Sequence, residues 1–175
     1  MHKIKYFLIA FPFSYLFIVG NIYPQDNHSN HSMSDSTSLH RQHMIHSMSP
    51  EVMPFDMNKV THYFIKTGTG GILMIKTKDV NDTVQVVKVQ SHLKKEYNLF
   101  SNGDFRDPET LHGMNMPGLK VLSQSKDKFK VHYKKLADGA RLTFNSNDPK
   151  VIDALHRWFD AQLKDHGSDA KSKLN

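Results

Sequence analysis

From Thr61 onward apolar and polar residues alternate with a period of two, and a second apolar run follows Gly70-Gly71. Strand side chains point alternately to opposite faces, so Thr61 to Ile65 and Ile72 to Ile75 read as a hairpin with its loop near Thr67 to Gly71. After Asn81 the period lengthens. Val86, Val89, Leu93, Tyr97 and Phe100 recur at helical spacing, Asp82 and Gln85 have the form of a capping box, and Gly103 follows. A helix over 82–101 is predicted, although Val84, Val86, Val87 and Val89 favour a strand at its start. Residues 103–118 read as a loop in which Asp107-Pro108 can start one helical turn. Lys128 to Tyr133 and Arg141 to Asn145 form a second strand pair across the turn Ala137-Asp138-Gly139. Asp148-Pro149 is a strong helix start, an N-cap carboxylate followed by proline, and predicts a second helix over 149–166 that stops at Gly167.

The order ββαββα predicts an α+β two-layer sandwich, an antiparallel four-stranded sheet with two helices on one face. The expected core is Phe64, Ile72, Met74, Val89, Leu93, Phe100, Val131, Leu142, Phe144, Leu155, Trp158 and Phe159. The pattern assigns residues 53–170 to this single domain and residues 171–175 to a disordered C-terminus. Ahead of it, His2, Lys3 and Lys5 precede an uncharged, mostly apolar run from Tyr6 to Gly20. That run is short of the roughly 20 residues of a membrane span, so 1–25 is expected to be a secretory signal, or an N-terminal anchor if uncleaved. Export to the periplasm or the extracellular space follows from it.

Residues 26–52 differ in kind. His28, His31, His40, His43 and His46 stand with Met33, Met44 and Met48 among small polar residues, and the segment is expected to be disordered. Imidazole and thioether suit copper better than they suit magnesium or calcium. Such tracts are compositional rather than geometric evidence, and a polar spacer with incidental histidines is the plainer alternative.

Composition narrows the chemistry further. The chain has 175 residues, no cysteine, and a formal charge of +6. Disulfides, cysteine–zinc sites, iron–sulfur clusters and thiolate nucleophiles are excluded. Its lysines are dispersed, with no arginine-rich helix or aromatic–lysine ladder to mark a nucleic-acid surface. Metal ions, and another exported metal carrier, are the expected partners; the membrane is met only through an uncleaved N-terminal segment.

The most specific site signal is Leu111-His112-Gly113-Met114-Asn115-Met116-Pro117-Gly118. If extended, it places His112, Met114 and Met116 on one side as a soft-metal clamp. A structural loop whose methionines fill gaps is the alternative. His62 on the first strand, His92 and Glu96 on the first helix, and His156 and His166 on the second can complete such a site. At a helix C-terminus His166 is expected to favour its protonated form. His132 is expected at the surface. Copper is the expected metal, with zinc as an alternative, in a protein that buffers, sequesters or transfers it. The competing readings are an exported interaction domain without metal, and a metal-dependent or His/Asp acid–base enzyme drawing on Asp104, Asp107 or Glu109. No Gly-x-Ser-x-Gly, phosphate-gripping loop or His-Glu-x-x-His motif is present.

Several segments carry a resemblance: Met53-Pro54-Phe55-Asp56, Thr61-His62-x-Phe64, Gly103-Asp104-Phe105-x-Asp107-Pro108, His112-Gly113-x-x-Met116-Pro117-Gly118, Asp138-Gly139-Ala140-Arg141, and Leu155-His156-x-Trp158-Phe159-Asp160-Ala161-Gln162-x-x-Asp165-His166-Gly167. Over about residues 53 to 170 the chain resembles a small bacterial family of uncertain function whose members often bear the label aspartate carbamoyltransferase. The resemblance draws attention to His62, His112, Met116, His156 and His166. The Ser-x-x-Thr-Arg phosphate motif and second α/β domain of true carbamoyltransferases are absent from this sequence. The histidine-rich segment before Met53 lies outside the resembling region.

Overall fold

The computed structural model describes residues 30–174. Its elements run α1 (Asn30–Met48), β1 (Val60–Thr67), β2 (Gly70–Thr77), α2 (Thr83–Ser101), α3 (Arg106–His112), α4 (Leu119–Ser123), β3 (Phe129–Leu136), β4 (Gly139–Ser146), α5 (Pro149–His166) and β5 (Ala170–Lys171). The two anticipated hairpins and two long helices form, and the caps work as the sequence implies. Asp82 accepts from the Gln85 N–H, and Asp148 from the Lys150 N–H. Helix wins at the valine-rich start of α2 because Val86 and Val89 face the core while Val84 and Val87 remain exposed.

The expected four-stranded antiparallel sheet with two helices is not what forms. The sheet has five strands in the order β3-β4-β2-β1-β5, and β5 runs parallel to β1 with Ala170 beside His62. Gly167, at φ 54°, turns the chain back after α5 and delivers this two-residue edge. Two residues carry no periodicity for a sequence to display, and Lys171 therefore leaves the segment read as a disordered tail. Three further helices, α1, α3 and α4, accompany the two predicted ones.

Helix α1 also replaces much of the disorder expected over 26–52. A few apolar anchors suffice to dock it: Ile45 is fully buried, and Met48 and Val52 pack partly against the same core as Met53 and Phe55. Arg41 pairs with Asp165 at 2.8 Å and His46 with Asp169 at 2.6 Å, joining α1 to the end of α5.

Helices α2 and α5 cover one face of the sheet, where Phe144 of β4 meets both Phe100 and Trp158. Of the expected core, Ile72 and Met74 lie outside the main cluster, Ile72 half-buried and Met74 buried apart from it. Register explains why. Leu73 sits between Phe64 and Leu142, and Ile75 between His62 and Ala140, so these residues share the helix-covered face. At Gly118, φ 87°, the chain passes so close to α5 that a Cβ would collide with the Ala154 carbonyl oxygen. That contact seats α4 and orients the loop after His112.

Candidate functional site

Four elements deliver imidazoles to one place. β1 carries His62 on its covered face, α2 carries His92, α3 ends at His112 and α5 ends at His166. All four are buried, at 2%, 8%, 8% and 3% exposure. The His62 and His166 rings stack with centroids 4.6 Å apart, and those of His166 and His112 lie 5.1 Å apart. Phe55 closes one side, its ring 5.9 Å from His62 and 5.4 Å from His92. Together with Glu96, Gln162 and Trp158 the four histidines line a chamber of about 60 Å³. Bulk water occupies about 30 Å³ per molecule, so this volume suits an occupant of a few non-hydrogen atoms.

Three of the histidines and Glu96 are held without charge. Asp107, which also lines the chamber, is not: burial works to raise it, but the Glu96 carboxyl and the Lys95 ammonium outweigh that and hold it below the ordinary carboxylate range. Burial pushes His62 well below the ordinary histidine range, and the neighbouring His166 adds to the effect. Burial likewise lowers His92 to about 4 and His166 to about 3. For His166 this reverses the expectation from its helix position: desolvation outweighs the attraction of the α5 C-terminus. Glu96 moves the opposite way, raised to about 9 by burial and by the adjoining Asp107 carboxyl. Buried polar atoms ordinarily have partners. Among the described residues eight buried side-chain nitrogens and oxygens have none, and seven belong to chamber residues: both nitrogens of His62, Nδ1 of His92 and His166, both oxygens of Glu96, and Nε1 of Trp158.

His112 is wired differently. Its Nδ1 lies 2.9 Å from Asp165 Oδ2, and Arg41 donates both to that carboxylate and, at 2.7 Å, to the His112 carbonyl. Burial works to raise Asp165, but the hydrogen bonds from His112 and Arg41 outweigh it and hold the carboxyl at about 2. An ionised Asp165 accepts from His112 Nδ1–H and fixes the orientation of the ring. His112 also lines a second, wider cleft of about 830 Å³ with Arg41, Met114, Met116 and Lys164. It is thus a wall common to cleft and chamber.

The remaining anticipated ligands do not converge here. The segment after His112 is not an extended clamp, because His112 closes α3 and Gly113 turns away at φ 97°. Met114 is 81% exposed, whereas Met116 is buried with its sulfur accepting from Gln162 Nε2 at 3.4 Å. His156 stands apart, its Nε2 within 3.1 Å of the Thr67 carbonyl and 2.8 Å of that of Gly70, where it fastens the β1–β2 hairpin. His40 and His43 are exposed on α1, His46 is engaged by Asp169, His132 is exposed, and His28 and the side chain of His31 lie outside what is described. Among the described residues no three His, Asp or Glu side chains are arranged to close on a single ion. Arg41 borders the site although the sequence reading does not name it, and Trp158, read there as core, lines the chamber. The spacing of Arg41 and Ile45, four apart in a segment otherwise poor in apolar groups, is the signal that could have found the first.

No family profile, curated protein or solved structure matches this chain.

Proposed function

We propose that the protein binds a small uncharged, hydrogen-bonding molecule in the histidine chamber, with the His112–Asp165 pair able to move a proton at its wall. The observation that carries this reading is the gathering of seven partnerless polar atoms on one small buried space. An unpaired buried polar group costs roughly 1–3 kcal/mol, so several kcal/mol are stored in an arrangement that an occupant would relieve. Neutral imidazoles, a neutral carboxyl and an indole N–H select against ions that cannot shed their own charge. Asp165 orients His112 as a general base, and the wider cleft on its other side has the size of a substrate site. The apolar run Tyr6 to Gly20 supports placing this activity outside the cytoplasm.

The chain has one tryptophan, so a single indole N–H resonance reports on the chamber. Titration with small polar probes such as formamide should move it together with the ring signals of His62 and His166. If saturating formamide leaves all of them in place, the chamber is not a binding site.

Copper binding is the second reading, favoured by one feature: imidazoles already neutral, with a carboxylate on the distal nitrogen of His112, are prepared for ligation. Since no ready three-ligand set exists among the described residues, binding would require ring rotation of His62 or His166. One tight equivalent of Cu(I) or Cu(II), lost in His62→Ala and His166→Ala but kept in Met114→Ala, would establish it. An aspartate carbamoyltransferase activity has no support in this constellation, and an assay for aspartate carbamoylation on metal-free and copper-loaded protein should give no turnover.

A further inference from the structure

We infer that the open face of the sheet is a docking surface for an amphipathic helix of a partner protein, one whose apolar stripe is bordered by Asp or Glu. This face lies on the other side of the sheet from the histidine chamber, and neither reading depends on the other.

Helices α2 and α5 cover one face, α1 and α4 pack on α5, and α3 packs on α1, so the described helices gather on that side. The other face is made by the residues that alternate with the core. An antiparallel sheet with a solvated face ordinarily turns polar side chains outward. The β1–β2 half departs from this. Tyr63 is opposite Met74, and Ile65 opposite Ile72, so four apolar side chains adjoin there. Met74 is buried although it lies outside the main core, and the other three are half-buried. The β3–β4 half is cationic. Arg141 stands between Met74 and Lys134, and Thr143 between Ile72 and His132. Lys130 shares the face two residues before His132, and Lys171 of β5 lies beside Tyr63.

Charge names the occupant. None of the described strands contains Asp or Glu. Of the cations on this face Lys76 has a carboxylate, Asp138 of the β3–β4 turn at 2.8 Å, while Lys130, Lys134, Arg141 and Lys171 have none among the described residues. Arg141 Nε is moreover the one buried polar atom without a hydrogen-bond partner that lies away from the chamber. A guanidinium left unpaired in this way is relieved by a carboxylate, whose two oxygens match its fork. Lysines dispersed along the sequence are thus collected onto one face by strand register. A second copy does not fit, because it would set like charges against each other. Side chains half-buried in a flat sheet suit a surface laid across them rather than insertion into a bilayer. A nucleic-acid strand needs successive stacking rings, and Tyr63 and the His132 imidazole stand in different rows of the face. An acidic amphipathic helix meets both halves at once, its apolar stripe over β1–β2 and its carboxylates over β3–β4, as α2 and α5 meet the opposite face.

The test labels the isoleucine methyl groups of the full chain and titrates it with a Leu/Glu amphipathic helix of about five turns, its Leu/Lys twin, phosphatidylglycerol vesicles and oligodeoxythymidine. The Leu/Glu peptide should shift the methyl signals of Ile65 and Ile72 and leave that of Ile75, on the covered face, in place. Lys130→Glu combined with Lys134→Glu, both exposed on the edge strand, should weaken binding about tenfold without lowering the thermal midpoint. Arg141→Met should weaken it by a similar factor while the midpoint holds or rises, since an unpaired buried polar atom is removed. If neither Ile65 nor Ile72 moves at millimolar Leu/Glu peptide, or if the Leu/Lys twin binds as well, the inference is wrong. Tighter binding of vesicles or oligodeoxythymidine through the same two methyls would overturn it in favour of lipid or nucleic acid. A dimer formed through them would overturn it in favour of a second copy.

Discussion

Single residues here carry opposing demands of folding and function. His62 is almost fully buried with neither ring nitrogen paired, and the fold would gain from replacing it with an apolar ring. His62→Phe is expected to stabilise the protein by about 1–2 kcal/mol, since an unsatisfied buried polar group is removed. Chemical denaturation measures this directly; a large loss of stability would mean that the imidazole has a native partner. The same burial sets a pH profile. His62, His92 and His166 are neutral in the fold yet titrate near 6.5 when unfolded, so below that pH the unfolded chain binds more protons and stability falls as pH drops. Glu96, raised from 4.5 to about 9, binds its proton longer in the fold, so its contribution is lost as pH rises toward 9. Each group is worth about 1.4 kcal/mol per pH unit within its window. Between pH 5 and 6 three histidines act against one glutamate, and stability should climb by roughly 2–3 kcal/mol per unit. It should peak near pH 7 and decline by about 1.4 kcal/mol per unit toward pH 9. Urea midpoints across this range test the shape, and Glu96→Gln should flatten the alkaline limb and steepen the climb between pH 5 and 6.

At the scale of elements, α1 and the turn at Gly118 show how local signals mislead or suffice. Helix α1 is polar along most of its length, yet Ile45 anchors it and Arg41 and His46 reach the end of α5. Ile45→Ala should cost about 2–4 kcal/mol, the range for emptying a buried aliphatic site, and a result below 1 kcal/mol would mean that α1 is not docked in solution. Gly118→Ala meets both a left-handed backbone and the Ala154 carbonyl. It should destabilise by about 3 kcal/mol and loosen His112, because the loop between them loses its seat on α5. Thermal denaturation gives the first effect; broadening of the His112 ring signals would give the second. By contrast α2 and α5 were legible from the chain. Their apolar stripes are long, and Asp82 and Asp148 act within three residues of themselves. Interactions that close inside one turn can be read locally, whereas α1 depends on partners more than 120 residues away.

For the whole molecule, the sequence by itself determined the two hairpins, the two long helices and most of the aromatic core. Alternation and helical periodicity are one-dimensional patterns that burial on a single face imposes. It also marked His62, His92, His112 and His166 as residues worth following. Tertiary structure decided the rest. Only packing could separate His156, bound to hairpin carbonyls, from His166 two turns or more further along the same helix. The chemical character of the histidines was equally hidden, because neutrality follows from desolvation, which depends on what other elements bring over each ring. The fifth strand, helix α4 and the docking of α1 likewise arise from contacts distant in sequence, with no periodicity of their own, whereas the turn at Asp107-Pro108 was signalled locally and forms as α3. Periodicity records which face a residue turns inward. What that face then meets is set by the assembled chain, and there the chamber, its missing hydrogen bonds and its proton-bearing carboxyl come into being.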